Sequence, residues 1–230
     1  MTYQWLLFDA DNTLFDFNLA EVKALENSFA EFGYAYNSTT GDTYRIINKE
    51  VWEQLEKGEI TAAALRTTRF SRLFDAVGIQ GEPEPFSDAY LRHLANCGDL
   101  IEGAESLIQQ LSKSYRIALI TNGLSDVQRP RLAASPLEPY FETITISDEI
   151  GVAKPDPGIF DVAFGQMGNP EKTAVLIIGD SLSSDMQGGL NYGIDTCWYN
   201  PENKLTDMPV TNNIQRLDEL QILLKSTDNE

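Results

Sequence analysis

The segment Trp5-Leu6-Leu7-Phe8-Asp9-Ala10-Asp11 gives the clearest indication of how this chain folds. Its four apolar residues form a run typical of a short strand buried on both faces, and two carboxylates follow where that strand ends. In open α/β sheets, ligands bind at this edge. A carboxylate pair there suits a reaction in which one group attacks while its neighbour moves a proton. A strand that runs into an Asx turn is the alternative interpretation of the same residues.

Three further segments have the same form, a short apolar run that ends in a polar residue. They are residues 117–120 before Thr121, residues 143–146 before Ser147, and residues 174–178 before Gly179-Asp180. Helical patterns occupy residues 102–111, 158–167 and 185–192, and a further strand at 195–199 and a closing helix at 217–224 complete the series. This alternation predicts an α/β fold with a doubly wound, Rossmann-like parallel sheet.

One long segment breaks the alternation. Residues 16–97 contain no convincing strand but carry four amphipathic helical patterns, at residues 19–32, 44–55, 61–77 and 86–95. Four helices joined by short loops predict a small bundle. Because the bundle leaves the sheet directly after the first carboxylate strand, we expect it to lie over the site as a cap. The predicted domains are therefore a catalytic core at 1–15 and 98–230 and a helical cap at 16–97.

Composition narrows the possible partners. The chain has 230 residues, of which 42% are hydrophobic, as expected for a globular protein. Lys and Arg number 17 against 35 Asp and Glu, a formal net charge of −18. Such a surface repels nucleic-acid phosphates, so we expect no nucleic-acid partner. A small anionic substrate stays compatible with this charge if a metal and a few cations make the pocket locally positive.

Cysteine and histidine usage excludes further classes of site. Cys97 and Cys197 are far apart and lack CxxC spacing, so we expect buried or inert thiols rather than a disulfide or a metal site. His93 is the single histidine, which excludes sites that need several His ligands, and its setting predicts a helical surface or packing residue. Without a signal-peptide pattern or a membrane-spanning run, we expect a cytoplasmic protein with no membrane partner.

The candidate functional residues fall at or near the carboxyl ends of the predicted strands. They are Asp9 with Asp11, Thr121 with Asn122, Lys154, and Asp180 with Asp185. Each has a structural alternative: a strand-to-helix turn at 121–123, a solvated loop lysine at 154, and a helix N-cap at 180 or 181. Their occurrence in one order along one edge of one sheet favours a shared site.

These motifs resemble those of the haloacid dehalogenase superfamily, and the resemblance spans the whole chain. The superfamily's four motifs are matched in order by Asp9-x-Asp11-x-Thr13, Thr121, Lys154-Pro155, and Gly179-Asp180-Ser181 with Asp185. The inserted bundle resembles the superfamily's cap of the first type. Within the superfamily, the chain is similar to bacterial house-cleaning pyrimidine 5′-nucleotidases at residues 9–15, 48–61, 120–123 and 196–198.

The resemblance implies a metal and a nucleophile. Asp9 would attack the phosphorus of a monoester and become an aspartyl phosphate. Mg²⁺ would be bound by the Asp9 carboxylate, the Asp11 backbone carbonyl and Asp180. Asp185 would act through the waters of the metal or orient Lys154.

It also implies how phosphate and protons are handled. Thr121 and the backbone N–H of Asn122 would hold phosphate oxygens, and Lys154 would offset their charge. Asp11 would protonate the leaving hydroxyl and then deprotonate the water that attacks the aspartyl phosphate. Like-charged neighbours could keep Asp11 protonated for the first step.

Substrate choice is expected to lie in the cap, where the sequence is less explicit. Aromatic residues that could stack on a nucleobase are Phe17, Tyr44 and Trp52, although aromatics at helical spacing are more often core. Candidate polar contacts are Asn18, Asn48, Arg66 and Arg69.

The predicted activity is Mg²⁺-dependent hydrolysis of a small phosphomonoester, with nucleoside 5′-monophosphates as the expected substrates. A sugar-phosphate or acylneuraminate-phosphate phosphatase, a phospho-accepting signalling domain and a catalytically silent binding module are the alternatives. Asp11 argues against carbon–halogen hydrolysis, because a halide leaves unprotonated, but a sugar-phosphate mutase keeps the same pair. The match to phosphonate hydrolases is weaker, because the cap lysine that they need has no clear counterpart here, although Lys23, Lys49 and Lys57 do not allow that activity to be excluded outright. The preferred base, the physiological substrate and the oligomeric state are not encoded in any motif.

Overall fold

The protein divides into two compact units. The structure, a computed structural model, describes residues 3–227, with side chains up to Lys225. One unit holds the described residues up to Asp16, residues 99–125 and those from Leu132 onward, and the other holds Phe17–Gly98 and Asp126–Arg131. Within the described residues, no helix combines the length and the apolar character that crossing a membrane requires.

A parallel sheet forms the centre of the first unit. Within residues 3–227 it has six strands: β1 Trp5–Phe8, β2 Arg116–Thr121, β3 Phe141–Ile146, β4 Val175–Gly179, β5 Asp195–Tyr199 and β6 Asn212–Ile214. Their order is β3-β2-β1-β4-β5-β6, and each neighbouring pair is parallel. The predicted doubly wound parallel core is confirmed. Strand β6 was not predicted, because its short Asn-Asn-Ile sequence carries no apolar run.

The strand order places a crevice beside the first strand. Strand β1 pairs with β2 on one side and with β4 on the other, so that Phe8 lies level with both Leu119 and Ile178. The chain moves outward from β1 to β3 and then returns to the opposite side of β1 for β4. Ligands bind in open α/β sheets where the strand order reverses in this way. The carboxyl ends of β1 and β4 therefore meet at the expected binding crevice.

Helices of the first unit pack against the sheet. They are α5 Ala104–Leu111, α7 Ser147–Ile150, α8 Pro157–Gln166, α9 Gln187–Tyr192 and α10 Glu219–Thr227. Most residues of a further helix, α6 Ser125–Ala133, belong to the second unit. Because successive side chains of a strand point to opposite faces of the sheet, Leu6 and Phe8 lie in one apolar cluster, which includes residues of α5 and α10. Trp5 and Leu7 lie in a second cluster with residues of α8. Helix α6, which contains Pro130, was not predicted.

The second unit is helical. Its four helices are α1 Phe17–Glu31, α2 Ser38–Glu56, α3 Ala62–Val77 and α4 Pro83–Ala95, which agree with the four predicted patterns. The side chains of Asn37 and Thr61 cap α2 and α3, where they accept hydrogen bonds of 2.9 and 3.2 Å from backbone N–H groups in the first turn of each helix. Helix α1 packs against α4, and α3 against both α2 and α4. The inclusion of Asp126–Arg131 in this unit was not anticipated, and the role of residues 16–97 as a cap stays a prediction.

Candidate active site

A tight turn after β1 fixes the first carboxylate at the crevice. The Asp9 N–H donates to the Ile178 carbonyl of β4 at 2.9 Å, and the side chain is almost fully buried. The Leu14 and Phe15 N–H groups both donate to the Ala10 carbonyl at 2.9 Å, which closes the turn. The switch from an apolar strand to a polar turn thus places Asp9 at the carboxyl end of β1, as predicted.

Asp11 lies in the same turn and is half-buried. Its backbone forms an isolated bridge with Phe15, so its position depends on the closure of the turn. Its charge contributes to raising the pKa of both Asp9 and Asp180. Asp11 therefore acts electrostatically on the acids that follow β1 and β4.

Lys154 is buried within this cluster, and its ammonium group is fully hydrogen-bonded. Its Nζ donates to Asp9 Oδ1 at 2.6 Å, to Asp185 Oδ1 at 2.6 Å and to the Ile120 carbonyl at 2.8 Å. Three acceptors use all three ammonium hydrogens. Burial alone lowers the pKa of Lys154, but the charges of Asp185 and Asp9 outweigh it and hold that pKa above its usual value. The lysine is a fixed positive charge between two carboxylates.

Asp185 is held from two further sides. Its Oδ2 accepts the Ser181 N–H at 3.0 Å, and its side chain is 1% exposed. A Cβ atom added at Gly179 would overlap the Asp185 carboxylate, so the last residue of β4 must lack a side chain for Asp185 to occupy this place. Asp185 belongs to a π-helical turn, Leu182–Met186, that precedes α9, where the sequence predicted the first turn of a helix.

Three carboxylates converge where a metal ion could be held. Ligand oxygens of Asp9, Asp180 and Asp185 all lie within 4.8 Å of one another. The Asp180 backbone is held in turn by Trp198, whose indole Nε1 donates to the Asp180 carbonyl at 2.8 Å. Because Mg²⁺ prefers oxygen ligands, this all-oxygen donor set fits the ion.

Burial and repulsion between like charges raise the pKa of Asp9 and Asp180. Burial raises the pKa of Asp9 to about 7, with further increases from the charges of Asp185 and Asp11 and an opposing effect of Lys154. Burial raises the pKa of Asp180 to about 8, and the charges of Asp9 and Asp185 add to the rise. One lysine does not balance four neighbouring acids. A divalent cation would offset most of the negative charge that remains in the cluster.

Thr121 is the last residue of β2, and Asn122, which follows it, borders the cluster through Lys154. Thr121 is buried, and its Oγ1 accepts the Gly123 N–H at 3.1 Å, which shapes the turn after β2. The Asn122 side chain donates to the Lys154 carbonyl at 2.9 Å and accepts the Lys154 N–H at 2.8 Å. The sequence predicted a phosphate contact for the Asn122 backbone. It did not indicate that the Asn122 side chain binds Lys154, 32 positions further along the chain.

Several of the predicted cap contacts lie in the interior of the helical unit. Tyr44 is fully buried and stacks on Phe70 with ring centroids 5.4 Å apart. Asn48 donates to the Glu21 carboxylate at 3.1 Å and accepts from Arg69 Nη1 at 3.2 Å, and all three side chains are buried. These residues form a polar core of the helical unit. Their proposed part in substrate recognition stays a prediction.

Two supporting residues were not predicted as parts of the site. Gly179 was noted only within a motif, and its need to lack a side chain follows from the position of Asp185. Trp198 was noted only for a family resemblance, and its hydrogen bond to Asp180 had no signal in the sequence. A glycine directly before a predicted strand-end acid was the one available indication.

Comparison with known proteins gives this geometry a family context. The family model for haloacid dehalogenase-like hydrolases matches residues 6–199. Pyrimidine 5′-nucleotidase PynA of Streptococcus pneumoniae is 41% identical over 202 residues, which cover 87% of this chain and 85% of that protein. Pyrimidine 5′-nucleotidase YjjG of Escherichia coli is 35% identical over 204 residues, which cover 89% of each.

A solved structure extends the similarity to nearly the full chain. The crystal structure of the putative HAD-hydrolase YfnB from Bacillus subtilis, bound to magnesium, matches with a TM-score of 0.93 and 35% identity, and covers 98% of this chain and 100% of that chain. The family match includes all four strand ends that carry the candidate residues. This chain belongs to the haloacid dehalogenase-like hydrolase family.

Proposed function

We propose that this protein is a Mg²⁺-dependent phosphomonoesterase that uses Asp9 as its nucleophile and acts on nucleoside 5′-monophosphates. The observation that carries the proposal is the convergence of Asp9, Asp180 and Asp185 at the sheet crevice, with Lys154 bound to two of them. Phosphoryl transfer asks a protein mainly for positioning and for neutralisation of charge, and this arrangement provides both.

Magnesium would be held by the carboxylates of Asp9 and Asp180 and by the backbone carbonyl of Asp11. Asp185 lies close enough to join them, and its contact with Lys154 supports a role in orienting that lysine. When bound, the ion would offset the negative charge of the phosphoryl group and of the acids around it. The crystal structure of YfnB is a magnesium-bound form, which supports the choice of ion.

In the first half-reaction, an Asp9 carboxylate oxygen attacks phosphorus, and the bond between phosphorus and the ester oxygen breaks. Asp11 donates its proton to the departing oxygen, so that an alcohol leaves and Asp9 becomes an aspartyl phosphate. Lys154 holds Asp9 in place and carries a permanent positive charge beside it. Thr121 and the Asn122 N–H would hold phosphate oxygens.

In the second half-reaction, water attacks the same phosphorus. Asp11, now ionised, takes a proton from that water, and the bond between phosphorus and the Asp9 oxygen breaks. Inorganic phosphate leaves, and Asp9 and Asp11 return to their starting protonation states. Each proton that Asp11 gives in the first step is thus recovered in the second.

Nucleoside 5′-monophosphates are the proposed substrate class because of the relatives. Both PynA and YjjG are named pyrimidine 5′-nucleotidases, and each aligns over more than four fifths of this chain. A small phosphorylated metabolite also suits an acidic protein, because the charge that repels nucleic acid is offset locally by Lys154 and a cation.

A phosphate-release screen tests the proposal. The purified protein is incubated with Mg²⁺ and a panel of nucleoside 5′-monophosphates, sugar phosphates and acylneuraminate phosphates, with EDTA-treated protein as the control. We expect the highest kcat/KM on nucleoside 5′-monophosphates and no release without metal. Preference for a sugar phosphate would overturn the substrate class but keep the chemistry. A long-lived phosphoprotein without turnover would instead favour a signalling domain.

A further inference from the structure

A closed pair of hydrogen bonds joins Asn122 to the lysine of the cluster. The Asn122 amide donates to the Lys154 carbonyl at 2.9 Å, and its Oδ1 accepts the Lys154 N–H at 2.8 Å. The side chain thereby satisfies both backbone groups of Lys154. It also ties the turn after β2 to the segment before α8, across 32 residues of sequence.

We propose that the Asn122 side chain is a positioning residue that sets the place of the Lys154 ammonium group through the lysine backbone. The other end of the lysine is already fixed, since Nζ donates to Asp9, Asp185 and the Ile120 carbonyl. The three acceptors lie on different strands or turns, and the ammonium group meets all of them from the backbone position that Lys154 has in the structure. Asn122 supplies that position.

The geometry explains why an amide is suited to this task. The side-chain amide of Asn or Gln carries a donor and an acceptor side by side on one planar group. Here the shorter Asn reaches both the N–H and the carbonyl of Lys154. Removal of either bond would leave a backbone group of Lys154 to find another partner. The lysine could then shift, and its bonds of 2.6 Å to Asp9 and Asp185 would lengthen.

The chain contains a matched control for this arrangement. Asn200 forms the same pair of bonds with another lysine, since it donates to the Lys204 carbonyl at 3.0 Å and accepts the Lys204 N–H at 2.9 Å. The Lys204 side chain, however, is 63% exposed and pairs with Glu202. Asn200→Ala therefore removes the same two contacts from a lysine that takes no part in the cluster.

Nuclear magnetic resonance of the lysine side chains gives a readout that does not depend on activity. In metal-free protein labelled with ¹⁵N at lysine Nζ, the buried Lys154 ammonium should give a slowly exchanging signal, identified by its absence in Lys154→Met. We expect Asn122→Ala to shift this signal and to speed its exchange with solvent, while Asn200→Ala leaves it unchanged. An unchanged signal in Asn122→Ala, or an equal change in Asn200→Ala, overturns the proposal.

The kinetic arm rests on the proposed phosphatase function. We expect Asn122→Ala to lower kcat by about tenfold with little change in KM, as for other residues that orient a functional group, and Asn200→Ala to leave kcat unchanged. In a Lys154→Met background, Asn122→Ala should not lower kcat further. If it lowers kcat by the same factor as in the parent protein, the proposal is contradicted. If Asn122→Ala does not fold, Asn122→Ser replaces it under the same criteria. Absence of activity in the parent protein would refute the proposed function. The positioning role of Asn122 would then be tested by the ammonium signal of Lys154 alone.

Discussion

The carboxylate of Asp185 lies so close to the backbone of Gly179 that no side chain fits between them. This contact joins the end of β4 to the turn that carries Asp185, and Asp185 in turn binds Lys154 at 2.6 Å. The place of the lysine, and through it of Asp9, thus depends on a residue whose only contribution is the absence of a Cβ atom.

Gly179→Ala is expected to push the Asp185 carboxylate away from its place. We predict a loss of about 1–3 kcal/mol in the free energy of unfolding, as for overpacking elsewhere, and a lower kcat. Gly165→Ala is the matched control, because a Cβ there meets nothing within 4 Å and the residue lies in α8. It should be neutral or gain up to about 1 kcal/mol. Chemical denaturation of both variants measures the difference, and equal stabilities would refute the steric argument.

Asp11→Asn should slow hydrolysis most for esters with poor leaving groups, because an amide cannot supply the proton that an alkoxide needs. Good leaving groups depart without that proton, so the first step on an aryl phosphate should be affected less. The measurement is a burst-phase comparison of an aryl phosphate with an alkyl phosphate. Equal losses on the two substrates would argue against an acid role for Asp11.

Mg²⁺ should stabilise the protein through Asp180. At a Mg²⁺ concentration about a hundredfold above the dissociation constant, we expect the free energy of unfolding to increase by about 2.7 kcal/mol. Asp180→Asn should lose this response. Because the Asp180 carboxylate is buried beside Asp9 and Asp185, the metal-free variant should unfold at the same temperature as the parent or higher.

Thermal unfolding with and without Mg²⁺ measures both effects. Asp207→Asn, at an exposed position, is the control and should keep the full response to the ion. A response to Mg²⁺ that survives in Asp180→Asn would place the ion elsewhere.

Cys197 is expected to resist alkylation in the folded protein. It is fully buried in β5, and burial raises the pKa of its thiol to about 12, so almost none of the reactive thiolate is present at pH 8. In a Cys97→Ser background, mass spectrometry after iodoacetamide treatment should find Cys197 unmodified until denaturant is added. Rapid modification of the folded variant would contradict its burial. Both cysteine side chains are buried, as the sequence predicted.

Much of the sheet could be predicted because β1, β4 and most of β2 are buried and therefore consist of apolar runs. The apolar runs before Asp9 and Gly179 form β1 and β4, within one residue of the predicted positions. Since parallel strands end at one edge, their following acids had to lie near one another. The meeting of Asp9 and Asp180 required no more information than this order, whereas Asp185 reaches them through a π-helical turn.

What escaped prediction depends on contacts between distant residues or on weak local patterns. The Asn122 amide reaches Lys154 only because two loops meet in the folded protein, and no spacing in the sequence encodes it. Trp198 bonds to Asp180 across neighbouring strands in the same way. Helix α6 contains Pro130, and β6 has a single apolar residue, so neither shows the periodicity that identifies an element.

Acid-quenched protein provides the most direct measurement of the proposed chemistry. Peptides are analysed by mass spectrometry after the reaction with Mg²⁺ and an aryl phosphate is stopped during turnover. We predict a phosphoryl group on Asp9 in the parent protein, and a folded Asp9→Asn variant that carries none and releases no phosphate. A phosphoryl group on another residue, or near-full phosphate release by Asp9→Asn, would contradict the assignment of Asp9 as the nucleophile.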